Sequence, residues 1–177
     1  MPVQDKIKAV IRDVHDFPKP GIIFKDITPV FNDPSLVREM VEVLAERISG
    51  MKPDAIAAIE ARGFIFGSLL ADALQCRFVP IRKAGKLPYK TRKEAYSLEY
   101  GTAAIEMHDD AIAAGSRVVI HDDLLATGGT AGAAGKLITG AGGTLAGFSF
   151  LINLSFLPGV ENLKRTFGVN PYYLVEY

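Results

Sequence analysis

The run from Arg117 to Thr130 reads Arg-Val-Val-Ile-His-Asp-Asp-Leu-Leu-Ala-Thr-Gly-Gly-Thr and brings several kinds of chemistry into one short stretch. Asp122 and Asp123 are adjacent carboxylates, able to accept hydrogen bonds from two vicinal hydroxyls. Ala126, Thr127, Gly128, Gly129 and Thr130 follow as a small loop with two hydroxyl donors. Gly128 and Gly129 carry no side chain, so backbone N–H groups there can approach an oxyanion closely. A helix beginning near Gly129 would aim its positive end at the same anion. Val118 to Ile120 is β-branched and continuous, as in a strand buried on both faces of a parallel sheet; that strand is expected to end at His121, just before the acids. The ligand implied is a phosphorylated sugar. Two rival phosphate motifs fail on spacing. Gly135-Lys136 is followed by Leu137, so there is no P-loop, and Gly129, Gly132 and Gly135 do not form Gly-x-Gly-x-x-Gly.

Four further segments carry unusual residues. In Glu60-Ala-Arg-Gly63, Arg62 and the amides of a turn leading into a helix suit a diphosphate, though a strand-end turn with a surface Arg would read the same. Arg82, Lys83, Lys86, Lys90, Arg92 and Lys93 form a run with no acid until Glu94. Such a run is ordinarily a solvated face. Gly85, Pro88 and the lack of a helical apolar stripe make it read instead as a mobile basic lid, whose closure over an anionic substrate would expel water and strengthen each charge interaction. Tyr96-Ser-Leu-Glu-Tyr-Gly101 looks like one arm of a β-ribbon, with Glu99 either a cross-strand charge or a site acid. In Asp16 to Thr28, Ile22, Ile23 and Phe24 form an apolar slot for a flat ring with Lys25 at its edge, or a cap that packs on the core.

Elements must bring these segments together, and open parallel sheets bind ligands beyond the carboxyl ends of their strands. Val3, Ile7, Val10, Ile11 and Val14 predict an amphipathic helix, and Phe17 to Gly21 is too rich in Pro for helix or central strand. Asp33-Pro34 opens a helix that runs to Gly50. Residues 54–59, 78–81, 117–121, 145–154 and 172–176 predict strands. Phe64 to Leu74, apolar nearly all round, predicts a buried helix, and Gly129 to Thr139 a second one. Residues 84–102 read as a long polar excursion. Strands alternating with helices predict a single α/β domain over 1–177 with a mainly parallel sheet of about five strands.

Composition agrees with an ordinary globular chain. It is 49% hydrophobic and 23% charged, with a formal net charge of +0, so nothing favours nucleic acid or membrane. Cys76 is the only cysteine and is expected to be a small core residue, which points to a reducing, cytoplasmic setting. Asp5, Lys6, Lys8 and Arg12 argue against a signal peptide, and no apolar run predicts a membrane span. His15, His108 and His121 lack metal-binding spacing.

The run from Val118 to Thr130 resembles the phosphoribosyl pyrophosphate motif of type I phosphoribosyltransferases. With Phe17-Pro-x-Pro-Gly-x-x-Phe-x-Asp, Arg62-Gly-Phe, Arg82-Lys-x-Gly-Lys-Leu-Pro and Tyr96-Ser-Leu-Glu-Tyr-Gly, it resembles, in order, the members of that family that take adenine. The resemblance covers Asp16 to the last strand. It implies the type I fold with a small N-terminal hood (about 1–33), a flexible loop (about 84–102), and conversion of adenine and phosphoribosyl pyrophosphate to AMP and pyrophosphate in purine salvage. It further implies a homodimer and Mg²⁺ held mainly by substrate. It assigns the ribose and 5′-phosphate to Asp122, Asp123 and Ala126 to Thr130, and pyrophosphate to Arg62, Lys83 and Lys86. Ile23, Phe24, Lys25 and Leu124 would hold the base, Glu99 would handle its proton, and Tyr100 would belong to the lid. A non-proline cis peptide, often found in the family's pyrophosphate turn, would fall at Glu60-Ala61. This chain has Lys25 where members often carry Arg, and a Lys cannot make Arg's planar fork. Two other readings stand beside this one. An enzyme for an oxo-purine would need a donor at the base edge. A non-catalytic regulator would be expected to add a DNA-binding module, whereas only about 16 residues precede the Phe17 segment here.

Overall fold

In the computed structural model, which describes residues 1–97 and 101–177, the chain divides into two compact units, Met1–Val43 and Leu44–Tyr177. In the first unit, Val3–Val10 forms helix α1 with Val3 and Ile7 buried. The apolar spacing continues to Val14, but the helix does not. Ile11 is extended, and strand β1 (Arg12–His15) pairs antiparallel with β2 (Ile23–Asp26). Cross-strand pairing supplies the backbone bonds that another helical turn would have made. The Pro-rich turn between the strands contains a cis Phe17–Pro18 bond, and Asp16 accepts the Gly21 amide at 2.7 Å. A 3-10 turn over Thr28–Asn32 leads to helix α2 (Pro34–Ser49). Asp33 caps α2 by accepting the amides of Ser35 and Leu36 at 2.9 and 3.1 Å, as the Asp-Pro pair predicts.

The second unit is built on a seven-stranded sheet of order β5-β6-β4-β3-β7-β8-β9. The strands are β3 (Ala55–Ile59), β4 (Arg77–Lys83), β5 (Thr91–Ser97), β6 (Thr102–His108), β7 (Arg117–Leu125), β8 (Thr144–Asn153) and β9 (Tyr172–Glu176). The five predicted strands are the five parallel ones, β4-β3-β7-β8-β9. Helices α3 (Gly63–Ala73), α4 (Gly129–Gly140) and α5 (Gly159–Phe167) connect them. Every residue of β3 is buried, as expected of a central parallel strand, and the main core joins Ile59, Ile81, Ile120 and Phe148 to Leu137, Ile138 and Leu163.

Several expectations need correction. Strand β7 does not stop at His121; its pairing with β8 runs to Leu125, so both acids lie inside the strand. The polar excursion at 84–102 contains β-structure from Thr91 onward, because β5 and β6 pair from Thr91 with His108 to Ser97 with Thr102, and β6 also adds antiparallel to β4. Strand β5 is the sheet edge, and its stretch from Thr91 to Glu94 is polar and charged, with no apolar alternation to betray it. Leu98, Glu99 and Tyr100 lie outside the described residues. Helix α3 is buried on one face only: Phe66 and Leu70 are inside, whereas Ile65 and Leu69 are exposed. Helix α5 was not anticipated. Cys76 is only partly buried, and that burial pushes its thiol pKa up.

Candidate active site

Strand order reverses beside β3. The chain leaves β3 through α3 to reach β4 on one side, and later places β7, β8 and β9 on the other. The carboxyl ends of β3 and β7 therefore flank the topological switch point, where open α/β sheets hold ligands. The turn 60–63 follows one of these strands, and Asp122 to Thr130 closes the other and enters α4.

On the β7 side, two cavities meet. One, of about 90 Å³, is lined by Asp122, Leu124, Leu125 and residues 126–131. The other, of about 140 Å³, is lined by Glu60, Arg82, Lys83, Tyr96, Asp122 and Thr130, among others. Asp122 and Thr130 border both. Gly128 precedes α4 with φ +82°, a left-handed backbone that suits glycine. The loop is backed by α5. A Cβ on Gly159 would lie 2.3 Å from the Ala126 carbonyl oxygen, and Asn162 Nδ2 donates to the Thr127 carbonyl at 2.9 Å. Neither Gly159 nor Asn162 could be singled out in the sequence, because nothing in their surroundings marks them as partners of residues 126 and 127.

Strand alternation sends the two acids to opposite faces. Asp123 is buried and forms an ion pair with Arg62, Nε to Oδ2, at 2.6 Å. Asp122 receives the Asp123 amide on Oδ1 at 2.9 Å. Burial, then the neighbouring Asp123 charge, push the Asp122 carboxyl well above the usual aspartate range. Gly63 makes the close approach of turn and strand possible, since a Cβ there would meet Asp122 Oδ1 at 2.9 Å. His121 is fully buried with Nδ1 3.3 Å from Ser149 Oγ, and burial pushes its pKa down to about 3. It packs inside the strand rather than at its end.

On the β3–β4 side the structure shows residues that sequence reasoning passed over. The Glu60–Ala61 bond is cis, the position anticipated from the resemblance. Glu60 takes the Arg82 guanidinium in a two-point pair, 3.2 Å from Nε and 3.0 Å from Nη2. It also accepts the Lys83 amide at 3.0 Å, and the Arg82 bond above all holds its carboxyl below the usual range. Arg82 Nη1 donates to the Lys86 carbonyl at 3.1 Å. Glu106, 1% exposed, accepts the amides of Lys86 and Leu87 on Oε1 at 2.9 and 2.8 Å, and the Thr91 hydroxyl on Oε2 at 3.1 Å. Burial alone would raise its pKa, but these donors outweigh burial and lower it. A lone acid between Ile105 and Met107 was the signal available for Glu106. Lys83 borders the larger cavity, and Lys83 and Lys86 both have exposed side chains.

In the N-terminal unit, Lys25 pairs across the ribbon with Asp13, Nζ to Oδ1, at 2.7 Å. Phe24 faces the other way, edge-on to Phe17 at 5.2 Å, and Val14, Phe17, Phe24 and Asp26 line a hollow of about 240 Å³. The apolar slot thus contains Phe24, whereas alternation puts Ile23 and Lys25 on the opposite face. Among the described residues, no group of three or more His, Cys, Asp or Glu gathers as a metal site, and no helix is long and apolar enough to cross a membrane.

Residues 29–154 match the family described as Phosphoribosyl transferase domain. The chain is 53% identical over 161 residues to an adenine phosphoribosyltransferase of Cytophaga hutchinsonii, covering 91% of this chain and 89% of that protein. With the Gloeobacter violaceus protein of the same description, identity is 51% and coverage 97% and 99%. The crystal structure of the Thermoanaerobacter pseudethanolicus adenine phosphoribosyltransferase superposes with a TM-score of 0.94 at 49% identity, over 98% of this chain and 99% of that one. The Saccharomyces cerevisiae enzyme, complexed with an imino-altritol bisphosphate and adenine, gives 0.89 at 38% identity, over 97% and 98%.

Proposed function

Because this chain belongs to the phosphoribosyl transferase family, we propose a division of labour for its residues in the reaction of the adenine-specific members. The protein is an adenine phosphoribosyltransferase: adenine and phosphoribosyl pyrophosphate give AMP and pyrophosphate, a pentosyl transfer of purine salvage. The observation that carries the assignment of roles is the pair of adjoining cavities that share Asp122 and Thr130 at the strand-order reversal.

The smaller cavity takes the 5′-phosphate on the amides and hydroxyls of Ala126, Thr127, Gly128, Gly129 and Thr130. Asp122 and Asp123 take the ribose hydroxyls. Arg62, Lys83 and Lys86 stabilise the charge that develops on pyrophosphate as the anomeric carbon transfers to the base. Mg²⁺ suits this site, because the available donors are hard oxygens and a nearby cation relieves the buried acid pair. It would be held mainly by diphosphate and ribose oxygens and water, where it supplies further charge stabilisation to the leaving group. On the hairpin the base contact proposed is Phe24, which faces the apolar hollow. Glu99 handles the base proton, and Tyr100 belongs with it to the segment that covers the substrate. Ile65, Leu69 and Phe78 are 40%, 39% and 38% exposed, an apolar group that supports burial against a second copy in a homodimer. The single cysteine supports a reducing, cytoplasmic setting.

Pyrophosphate release tests the base assignment: adenine should turn over, and hypoxanthine or guanine should give little with the same donor. Turnover of an oxo-purine at the adenine rate overturns it. Glu99→Leu should lower kcat by about a hundredfold or more, the scale of general acid–base catalysis, with the KM for phosphoribosyl pyrophosphate little changed. Near-normal kcat removes Glu99 from its role.

A further inference from the structure

We propose that Glu106 is a positioning residue for the leaving-group side of the site, holding the turn from Lys83 to Leu87 in its pyrophosphate-binding shape before substrate arrives. The proposal rests on the reading that Lys83 and Lys86 bind pyrophosphate. Lysine is a flexible point charge, and two exposed lysines on a free turn would lose much of their interaction energy in being ordered. Here the turn is ordered by two carboxylates. Glu60 takes the amide at its start, Lys83, and Glu106 takes the amides at its end, Lys86 and Leu87. Arg82 links the two halves, paired with Glu60 and donating to the Lys86 carbonyl.

Glu106 stands apart from the other acids of this region. It is buried on β6, and a buried carboxylate is costly unless hydrogen-bonded to donors. Its donors are backbone amides of the basic turn, among them those of Lys86 and Leu87, and the Thr91 hydroxyl; the Lys93 ammonium lies 3.9 Å away. A side chain meant only to fill the core at this position would be apolar, like its neighbours Ile105 and Met107. The carboxylate is retained because its oxygens match amides that would otherwise be free to turn. It does not touch substrate; it acts through Lys83 and Lys86.

The test uses Glu106→Asp, which keeps charge and withdraws the oxygens by one methylene, and Glu106→Gln, whose Oε1 still accepts both amides. Glu106→Asp should raise the KM for phosphoribosyl pyrophosphate and the inhibition constant of pyrophosphate about tenfold, as expected for losing hydrogen bonds to a charged group. The KM for adenine and kcat should stay within about threefold, and Glu106→Gln should restore all four constants to about that margin. A purely structural role would lower kcat in step with thermal stability and leave both KM values alone, and that outcome overturns the proposal. Hydrogen exchange on the unaltered protein gives a second reading. The Lys86 and Leu87 amides should be protected without ligand; exchange at open-chain rates overturns the proposal whatever the variants do. Lys86→Gln separates the underlying reading. If it leaves pyrophosphate inhibition unchanged, Lys86 is not a pyrophosphate ligand and the proposal falls with that role. If it weakens inhibition and Glu106→Asp does not, only the proposal falls.

Discussion

The two sides of the switch point are built differently. The β7 side is one contiguous stretch, Asp122 to Thr130, in which local backbone geometry makes the loop proposed above as a phosphate cradle. The β3–β4 side draws its parts from Glu60, Arg82 to Leu87 and Glu106, residues far apart in the chain and joined by side-chain hydrogen bonds. The pKa shifts of Asp122 on one side and of Glu60 and Glu106 on the other also run in opposite directions. Burial and the Asp123 charge raise the pKa of Asp122, whereas Arg82 lowers that of Glu60 and backbone amides lower that of Glu106. Apart from the Arg62–Asp123 pair, which ties the turn after β3 to β7, the β7 side relies on buried shape and the β3–β4 side on paired charge. One side should therefore be sensitive to volume, and the other to loss of single donors or acceptors.

Gly159→Ala attacks the first side and should have the largest effect. The added Cβ would lie 2.3 Å from the Ala126 oxygen, so the cradle or α5 must shift. Overpacking of this kind costs about 1–3 kcal/mol, and the displaced loop should raise the inhibition constant of AMP by about a hundredfold. Pyrophosphate inhibition should hardly change. Arg82→Met attacks the second side. It removes the two-point pair with Glu60 and the bond to the Lys86 carbonyl, so pyrophosphate inhibition should weaken about tenfold, a loss of charge-assisted hydrogen bonds, with AMP binding little altered. Measuring both inhibition constants for both variants checks the division. If each variant weakens both products equally, the two sides do not act separately.

The same contrast explains what the sequence disclosed. The cradle was legible because its requirements fall on neighbours: small residues, hydroxyls and an acid pair after a buried strand. The five parallel strands were legible for the same reason, each being an apolar run. Glu106 and Glu60 were not, because a single acid in a strand or in a turn looks like any solvated charge until the fold brings its donors. Gly159 and Asn162 serve the cradle from another helix and leave no mark near it. The sequence pattern ends strand β7 at the acids because polar residues ordinarily end a buried run; in the fold they stay in it because β8 pairs with β7 as far as Leu125. The N-terminal unit differs from expectation for the converse reason, since an apolar spacing that suits a helix to Val14 is divided between α1 and β1.

Acidity offers a gentler probe. A lowered folded pKa, as at Glu60, gives stability that is present above the ordinary glutamate value of about 4.3 and lost as pH falls through the lowered one. A raised one, as at Asp122, gives stability present below the ordinary aspartate value of about 3.9 and lost as pH rises through the raised one. Near neutral pH, Glu60→Gln should melt below the unaltered protein and Asp122→Asn above it, each by about a few degrees. On acidification both gaps should close, the Asp122 gap beginning at higher pH. Gaps of the same sign in the two variants would mean that the acids of the two sides share one charge state.

The smallest effect should come from the place where the two sides meet on the surface. Lys136 on α4 lies 3.7 Å from Glu94 on β5, with more than half of its side chain exposed. Helix α4 opens from the phosphate cradle, and β5 is paired to the strand that carries Glu106. This pair is thus a bridge between the regions, yet exposed pairs contribute about 0–1 kcal/mol and are screened by salt. Lys136→Gln should change the melting temperature by about one degree or less and leave AMP and pyrophosphate inhibition within about twofold. A larger change in both constants would make the bridge a coupling element, and the cradle and the basic turn would then respond as one body. An unchanged pair of constants leaves shape on one side and charge on the other as independent devices, joined by the sheet on which both are mounted.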